Sequence, residues 1–563
     1  MGASYDTNKG KHCVKSILAS EDLGFAEYPD LDILALLLSG GDGMTDKIYT
    51  AISFAPVQGF IEKSRKLRDL YGASGLLSHL AQCLARATPP NCEVISPANV
   101  NFQRGLPNRL LIRGDYPRNL VQQTLLHSWQ ETLEGCRTWV ERRLEADFPL
   151  DSYHWQAIWE KWGRYHWEIF WGHGDSIQAA MDDLETRKLR RDWVAVNWVG
   201  ESSSLSGVDA IAWPGLGALN SNPGWPLTRQ EKDQCDRYYQ QLAESLSRPG
   251  ADAEDTTGRF LAENERLSVP ELVKRLVTWP QLARDLGISE LESGFTDIHR
   301  NTRDDQGQWT GWFMGDGDRV GNYLKTLAQT GDQAIADFSQ AMRQWGQEFS
   351  RSLPNDQGRV IYAGGDDFLG VLYGQSRDRP IAPRQALDWL MGLNAQWQRH
   401  GHPIGVSVGF VWVSPDVPQR DVLQHCRLAQ KRAKRLGRER VTIRIVFSSG
   451  QFVEWTCRWQ DLPVLREYRD RNDTGWGQNP NWAHIFTDWA QLKARHAIPS
   501  RHNPTAGDDI VATEFFDLYF PGYGQILVAQ AADILGPQND PLAMIDWING
   551  AIHTGWYLAA NQG

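Results

Sequence analysis

Three short elements in the second half of the chain hold the residue types that phosphoryl chemistry needs. The first runs Gly358-Arg-Val-Ile-Tyr-Ala-Gly-Gly-Asp-Asp-Phe-Leu-Gly-Val-Leu-Tyr373, two β-prone apolar runs around Gly364-Gly365-Asp366-Asp367. That pattern predicts a tight hairpin with both carboxylates at its tip. Gly364 and Gly365 permit positive φ and leave room for phosphates against the backbone. Adjacent carboxylates repel unless a cation lies between them, so the turn points to a hard divalent metal. In the second element, Trp309 to Leu324, an apolar strand ends in Asp316-Gly317-Asp318 and a helix-compatible segment follows. In extended backbone Asp316 and Asp318 share a face, and the Gly317 carbonyl between them is a further oxygen ligand. The later oxygen ligands and terminal Glu of an EF-hand are missing. With the two bends on neighbouring strands, these carboxylates converge on two metals roughly 3.5–4 Å apart. Such a pair holds nucleotide phosphates, activates a 3′-hydroxyl and stabilises leaving pyrophosphate.

The third element is basic. From Asp421 to Leu436 apolar residues Val422, Leu423, Cys426, Ala429, Ala433 and Leu436 recur at helical spacing, with Asp421 as cap or first-turn acid. Gly437 ends that helix, and Val441 to Phe447 returns as a strand. Lys434 and Arg438 project from its last turn and exit, within reach of a triphosphate. Taken singly, each element is equally an acidic hairpin, a plain turn or a solvated cationic face. Their order along one chain favours a site.

These elements need a sheet to hold them. Residues 301–456 read as one α/β unit, with helical patterns at Asp337–Phe349 and Arg384–Gln398 and a central strand at Ile404–Val413. Residues 47–200 read as βαββαβ, a ferredoxin-like unit without a carboxylate pair at either expected position and so catalytically silent. Residues 1–46 form an N-terminal lead, 201–300 a mostly helical connection, and 457–563 a helical C-terminal domain entered at Pro480, Pro499 and Pro504. The fold class is therefore α+β.

Composition narrows the class further. The chain has 563 residues, net charge −11 and mean hydropathy −0.47, and no apolar run approaching the ~20 residues that span a bilayer. Its acidity argues against a free-standing nucleic-acid binder. Seven scattered cysteines, no two of them three apart, fit a reducing cytoplasm. The basic stretches Lys63–Arg68, Arg187–Arg191 and Arg427–Arg444 read first as solvated helix faces. Among the 25 tryptophans, Trp155, Trp159 and Trp162 recur at helical spacing and Trp167–Trp171 alternates as a half-buried strand. Packing is the reading preferred over an RNA-stacking platform.

The motifs carry a family resemblance. Gly364-Gly365-Asp366-Asp367-Phe368 resembles the Gly-Gly-[Asp/Glu]-[Asp/Glu]-Phe signature of palm-type nucleotide cyclases. Ala433-Lys434 followed by Gly437-Arg438 is similar to their phosphate-binding segment, and Asp316-Gly317-Asp318 stands where their first metal motif does. The chain most resembles the large polymerase/cyclase subunit of type III CRISPR effector complexes, the Csm and Cmr assemblies. Ile52–Ile61, Arg68–Ser78 and Leu267–Leu276 are similar to further segments of that family. Asp318-Arg-Val-Gly321 replaces the Asp-x-Phe-Lys run of diguanylate cyclases.

The resemblance implies two ferredoxin-like palms and a second palm that makes cyclic oligoadenylate from ATP when target RNA pairs with guide RNA. It implies Asp316, Asp366 and Asp367 as catalytic residues and Asp316, Gly317, Asp318, Asp366 and Asp367 around two Mg²⁺ or Mn²⁺ ions. Gly364, Gly365, Lys434 and Arg438 would face the nucleotide. Leu324, where diguanylate cyclases place a base-reading Asn, disfavours guanine. Expected partners are Cas7-, Cas5- and Cas11-like subunits with guide and target RNA, in the cytoplasm and without a membrane. The family's HD nuclease is not expected, because no His-Asp dipeptide occurs. Zinc is not expected either: the position of the zinc module, around Glu201–Ala210, has lost its thiols. The rival readings are a catalytically inactive scaffold subunit of the same complex and a stand-alone diguanylate-type cyclase.

Overall fold

The computed structural model describes residues 48–98, 105, 108–144, 153–190, 196, 201–216, 226–246, 260–292, 295–298, 307–374, 378–498, 508–538, 540 and 542–560. The expected lead over 1–46, and Pro499 and Pro504, lie outside them. The described chain is α+β, built on two sheets.

The first sheet holds β1 (Tyr49–Ala55), β2 (Glu93–Ser96), β3 (Arg109–Arg113) and β4 (Glu168–Gly174). Their order is β2-β3-β1-β4 and every neighbour is antiparallel, the ferredoxin-like arrangement. Helix α1 (Leu67–Arg86) follows β1; α2 (Arg118–Leu144) and α3 (Tyr153–Tyr165) join β3 to β4; α4 (Ile177–Leu189) follows β4. The strand period of two divides β1 and β3 between two cores. Ile52, Phe54, Leu110 and Ile112 pack on α1 and α2, while Tyr49, Ala51 and Leu111 face Ile177, Ala180 and Leu184 of α4. Trp155, Trp159 and Trp162 are 0, 2 and 5 % exposed, so they pack from α3 into the core and offer no stacking platform. Asp69 starts α1 by accepting the Arg65 and Lys66 backbone N–H groups, both at 2.9 Å.

The second sheet holds β5 (Thr310–Gly317), β6 (Gly358–Gly364), β7 (Asp367–Leu372), β8 (Val406–Val413), β9 (Arg440–Val446) and β10 (Phe452–Arg458). Its order is β10-β9-β8-β5-β7-β6. The four strands β6-β7-β5-β8 repeat the ferredoxin-like order of the first sheet. Helices α5 (Val320–Thr330), α6 (Asp332–Ser352) and α7 (Pro383–Trp397) complete that unit. Helix α8 (Gln419–Arg435) then crosses to β9, which is parallel to β8. Phe313, Phe368, Val408, Phe410 and Ile443 face α6 and α7, and Trp312, Leu369, Val371, Val411 and Val446 face Leu67, Leu70 and Tyr71 of α1. Val422, Leu423 and Cys426 of α8 join that cluster, so α8 and the first palm share the open face of the second sheet.

Between the palms, Ser203 and neighbouring residues occupy the position that the resemblance gives to a zinc module. Its turn closes by hydrogen bonds, Ser203 N to the Asp209 carbonyl at 2.8 Å and Ser203 Oγ to Glu271 at 3.1 Å. Arg275, fully buried, reaches from Val269–Leu276 to Asp69 and Glu265, fastening this connection to α1. Helices at Ala483–Ala494, Asp508–Tyr519 and Ala543–Thr554 form most of the C-terminal part, which docks on β10 through Trp455 and Trp547. No helix among the described residues is long and apolar enough to cross a membrane.

Candidate active site

The acidic hairpin is built from β6 and β7. Gly364 pairs with Asp367, leaving Gly365 and Asp366 as a two-residue loop. Only Gly365 of the two has positive φ, +81°, the signature of a type II′ turn whose twist matches the strands. A Cβ on Gly365 would meet open space, so its surface is free for a ligand. Gly364 differs from the expectation. A Cβ there would collide with the Gly105 carbonyl, so its small size serves the contact between the palms.

The two acidic bends are neighbours. Asp316, near the end of β5, is the direct cross-strand partner of Asp367 at the start of β7. The Gly317 N–H donates to the Asp366 carbonyl at 2.7 Å and fixes the two bends together. Like charges directly opposite in a sheet are destabilising, and the carboxyl groups register it. Asp367 reaches solvent at the mouth of a cavity, but the protein around it and the charges of Asp366 and Asp316 push its carboxyl up to about 8. Burial, with Asp316 second, raises Asp366 as well. Tyr362 beside them is raised by burial and then by Asp367 and Asp316.

Helix α8 brings the cation. Lys434 in its last turn donates to Asp316 Oδ1. The helix ends as the sequence foretells, with Gly437 at φ +125° and the Arg438 N–H donating to the Ala433 carbonyl at 3.1 Å. Arg438 and Glu439 continue in the left-handed region, φ +68° and +50°. That turn aims the Glu439 N–H at Asp318 Oδ2, 2.9 Å away. Asp318 also accepts the Ser407 hydroxyl at 2.7 and 3.0 Å and is 6 % exposed. Burial raises its carboxyl, against the Glu439 and Ser407 hydrogen bonds that lower it. Asp316 and Asp318 therefore part company. Asp316 faces the acidic hairpin, and Asp318 ties the end of β5 to β8 and to the exit of α8. Arg438 is exposed next to Asp318, and its charge helps keep that carboxylate ionised.

Between the palms lies a cavity of about 580 Å³. The second palm lines it with Leu324, Lys325, Tyr362 and the hairpin residues Gly364 to Asp367, and the first palm with Asn108, Arg109, Gln178 and Glu185. Arg109 at the start of β3 pairs with Glu185 at 2.5 Å. Sequence reasoning missed these first-palm residues, since Arg109 and Glu185 belong to no motif and only the docking of the palms makes them neighbours of Asp366. Asp316, Asp366 and Asp367 offer hard oxygen donors suited to Mg²⁺ or Mn²⁺. As the side chains stand, with Lys434 on Asp316, no group of three or more His, Cys, Asp or Glu among the described residues is set to hold a metal.

Residues 310–442 match the family described as Cas10/Cmr2, second palm domain, and residues 49–98 match CRISPR-associated protein Cmr2, N-terminal. No curated protein matches. Among solved structures, a type III-B Cmr-β complex in its apo state aligns at TM-score 0.56 and 11% identity, over 90% of this chain and 82% of that one. A Csm1–Csm4 cassette in complex with cA4 aligns at TM-score 0.45 and 13% identity, over 91% and 70%. The matched second palm contains β5, the acidic hairpin and α8, and the matched N-terminal segment contains β1 and α1 from the other half of the cleft. The chain thus carries a Cas10/Cmr2 second palm domain over residues 310–442 and a segment similar to the Cmr2 N-terminal part over residues 49–98.

Proposed function

We propose that this chain joins ATP into cyclic oligoadenylates within an RNA-guided type III effector, when guide RNA pairs with target RNA. The observation that carries this reading is Asp316 facing Asp367 across β5 and β7, with Asp366 and Asp367 lining the cavity between the palms. A cavity of about 580 Å³ lies within the ~300–1,000 Å³ of small-molecule sites. Asp316, Asp366 and Asp367 would hold two Mg²⁺ or Mn²⁺ ions, with the Gly317 carbonyl close by. Such ions would supply Lewis acidity for a 3′-hydroxyl and counter-charge for departing pyrophosphate. The chain's own part is to position charge. Gly365 presents bare backbone to phosphate, and Lys434 moves from Asp316 to the triphosphate once Asp316 has another counter-charge. Arg438 adds charge at the exit of α8, while Asp318 holds the end of β5 in place. Cas7-, Cas5- and Cas11-like subunits and the two RNAs would supply the trigger.

The test is an assembled complex with labelled ATP, Mn²⁺ and target RNA. Cyclic product is expected from the native chain, and the double substitution Asp366→Ala, Asp367→Ala should abolish it while assembly persists. Product from the double variant would refute the assignment. A second reading, a scaffold subunit with a silent palm, is favoured by the engagement of Asp316 with Lys434 and the lack of a ready three-carboxylate group among the described residues. Absence of product from the native, target-bound complex would select it.

A further inference from the structure

Arg109 is a cation on the wall of the cleft opposite the acidic hairpin. It projects from the first palm into the cavity that Gly365, Asp366 and Asp367 line from the second. On the second palm, Lys434 contacts Asp316 in the empty site and Arg438 lies beside Asp318. A triphosphate at the acidic hairpin brings more negative charge to a cluster that already carries three carboxylates. A cation on the opposite wall is what that arrangement calls for, and Arg109 lines the same cavity as Asp366.

The present partner of Arg109 is easily given up. Its side chain is 42 % exposed and that of Glu185 53 %, with 2.5 Å between them. Exposed pairs of this kind contribute little to stability. Lys188 is a second cation on Glu185, at 3.3 Å, so the carboxylate keeps a partner when Arg109 leaves. A guanidinium fork meets phosphate oxygens two at a time.

We propose that Arg109 binds the nucleotide's phosphates across the cleft, and that Glu185 parks it while the cleft is empty. This rests on the nucleotide reading above. It gives the silent first palm a direct part in the site, as donor of a fixed positive charge rather than of metal ligands.

The experiment is calorimetric titration of the full chain with a non-hydrolysable ATP analogue and Mg²⁺. Arg109→Ala should weaken binding by about 10-fold or more, the scale of one charge-assisted hydrogen-bonding group. Arg109→Lys should recover part of the loss. Glu185→Gln should bind at least as tightly as the native chain, because the arginine is no longer held. Thermal melting of all three should match the native chain, since an exposed pair contributes little to stability. Native binding with Arg109→Ala within twofold of it would overturn the inference and leave the nucleotide reading intact. Titrations in which the native chain and the Asp366→Ala, Asp367→Ala variant behave alike would overturn that reading, and this inference with it.

Discussion

At the scale of single residues, the informative contrast lies among four aspartates. Asp316, Asp366 and Asp367 are held within one patch by strand pairing, while Asp318 is drawn out of it by Ser407 and the Glu439 N–H. The patch is strained electrostatically, and the strain has a sign. Asp367 opens to solvent at the cavity mouth, yet the protein packed around it first, and then Asp366 and Asp316, push its carboxyl up to about 8. A raised carboxyl favours the protonated form in the folded state. The folded chain therefore loses stability as pH rises from the ordinary aspartate range through about 8. Removing the charge should relieve that loss. Asp367→Asn should raise the melting temperature of the metal-free chain at pH 9, and by much less at pH 5. A melt that responds equally at both pH values would show that the like-charge cluster is not what shifts this group.

At the scale of elements, much was legible because local pattern and tertiary demand agree. The glycines, aspartates and flanking apolar runs of β6 and β7 specify a two-residue hairpin on their own, and the helical spacing through Ala433 to Gly437 specifies α8 and its stop. The adjacency of the two acidic bends was readable from the family motifs. What could not be read were uses fixed by partners far along the chain. Asp318 looks like a ligand beside Asp316, but its hydroxyl partner is 89 residues away. Gly364 looks like part of a phosphate cradle, yet the Gly105 carbonyl of the other palm occupies its free face. The two glycines should accordingly fail in different ways. Gly364→Ala forces backbone against backbone and should cost about 1–3 kcal/mol by overpacking, with the change centred on the contact near residue 105. Gly365→Ala meets no atom and should cost about 1–2 kcal/mol from its left-handed φ alone. Urea unfolding measures the cost, and hydrogen exchange at Asn108 to Arg113 separates the two. Faster exchange there is expected for Gly364→Ala only.

At the scale of the molecule, the proposed site exists only as long as the palms stay docked, because half of its wall belongs to each. Apolar contact between Tyr49, Leu111 and Ile335 supplies part of that docking, and one carboxylate sets its geometry. Asp332, at the start of α6 in the second palm, accepts the Tyr49 hydroxyl at 2.9 Å and the Arg113 guanidinium at 2.5 and 2.6 Å. Tyr49 and Asp332 are 283 positions apart, so no local pattern could announce the pair. The Asp332 side chain is 12 % exposed and that of Arg113 44 %. The arginine can return to water when its partner is removed, which keeps the cost below the ~3–5 kcal/mol of a fully buried broken pair. Asp332→Ala should therefore cost about 1–3 kcal/mol, and Asp332→Asn less, because an amide still accepts from Tyr49. The diagnostic measurement is where hydrogen exchange quickens. Exchange should rise in β1 and the first turn of α6 and stay unchanged in β8 and β9, which are paired wholly within the second palm. Nucleotide affinity should fall in step with that opening, since Arg109 retreats from the acidic hairpin as the palms part. Protection unchanged in β1 and α6, or lost evenly across both sheets, would mean that the apolar contact alone fixes the distance between the two halves of the cleft.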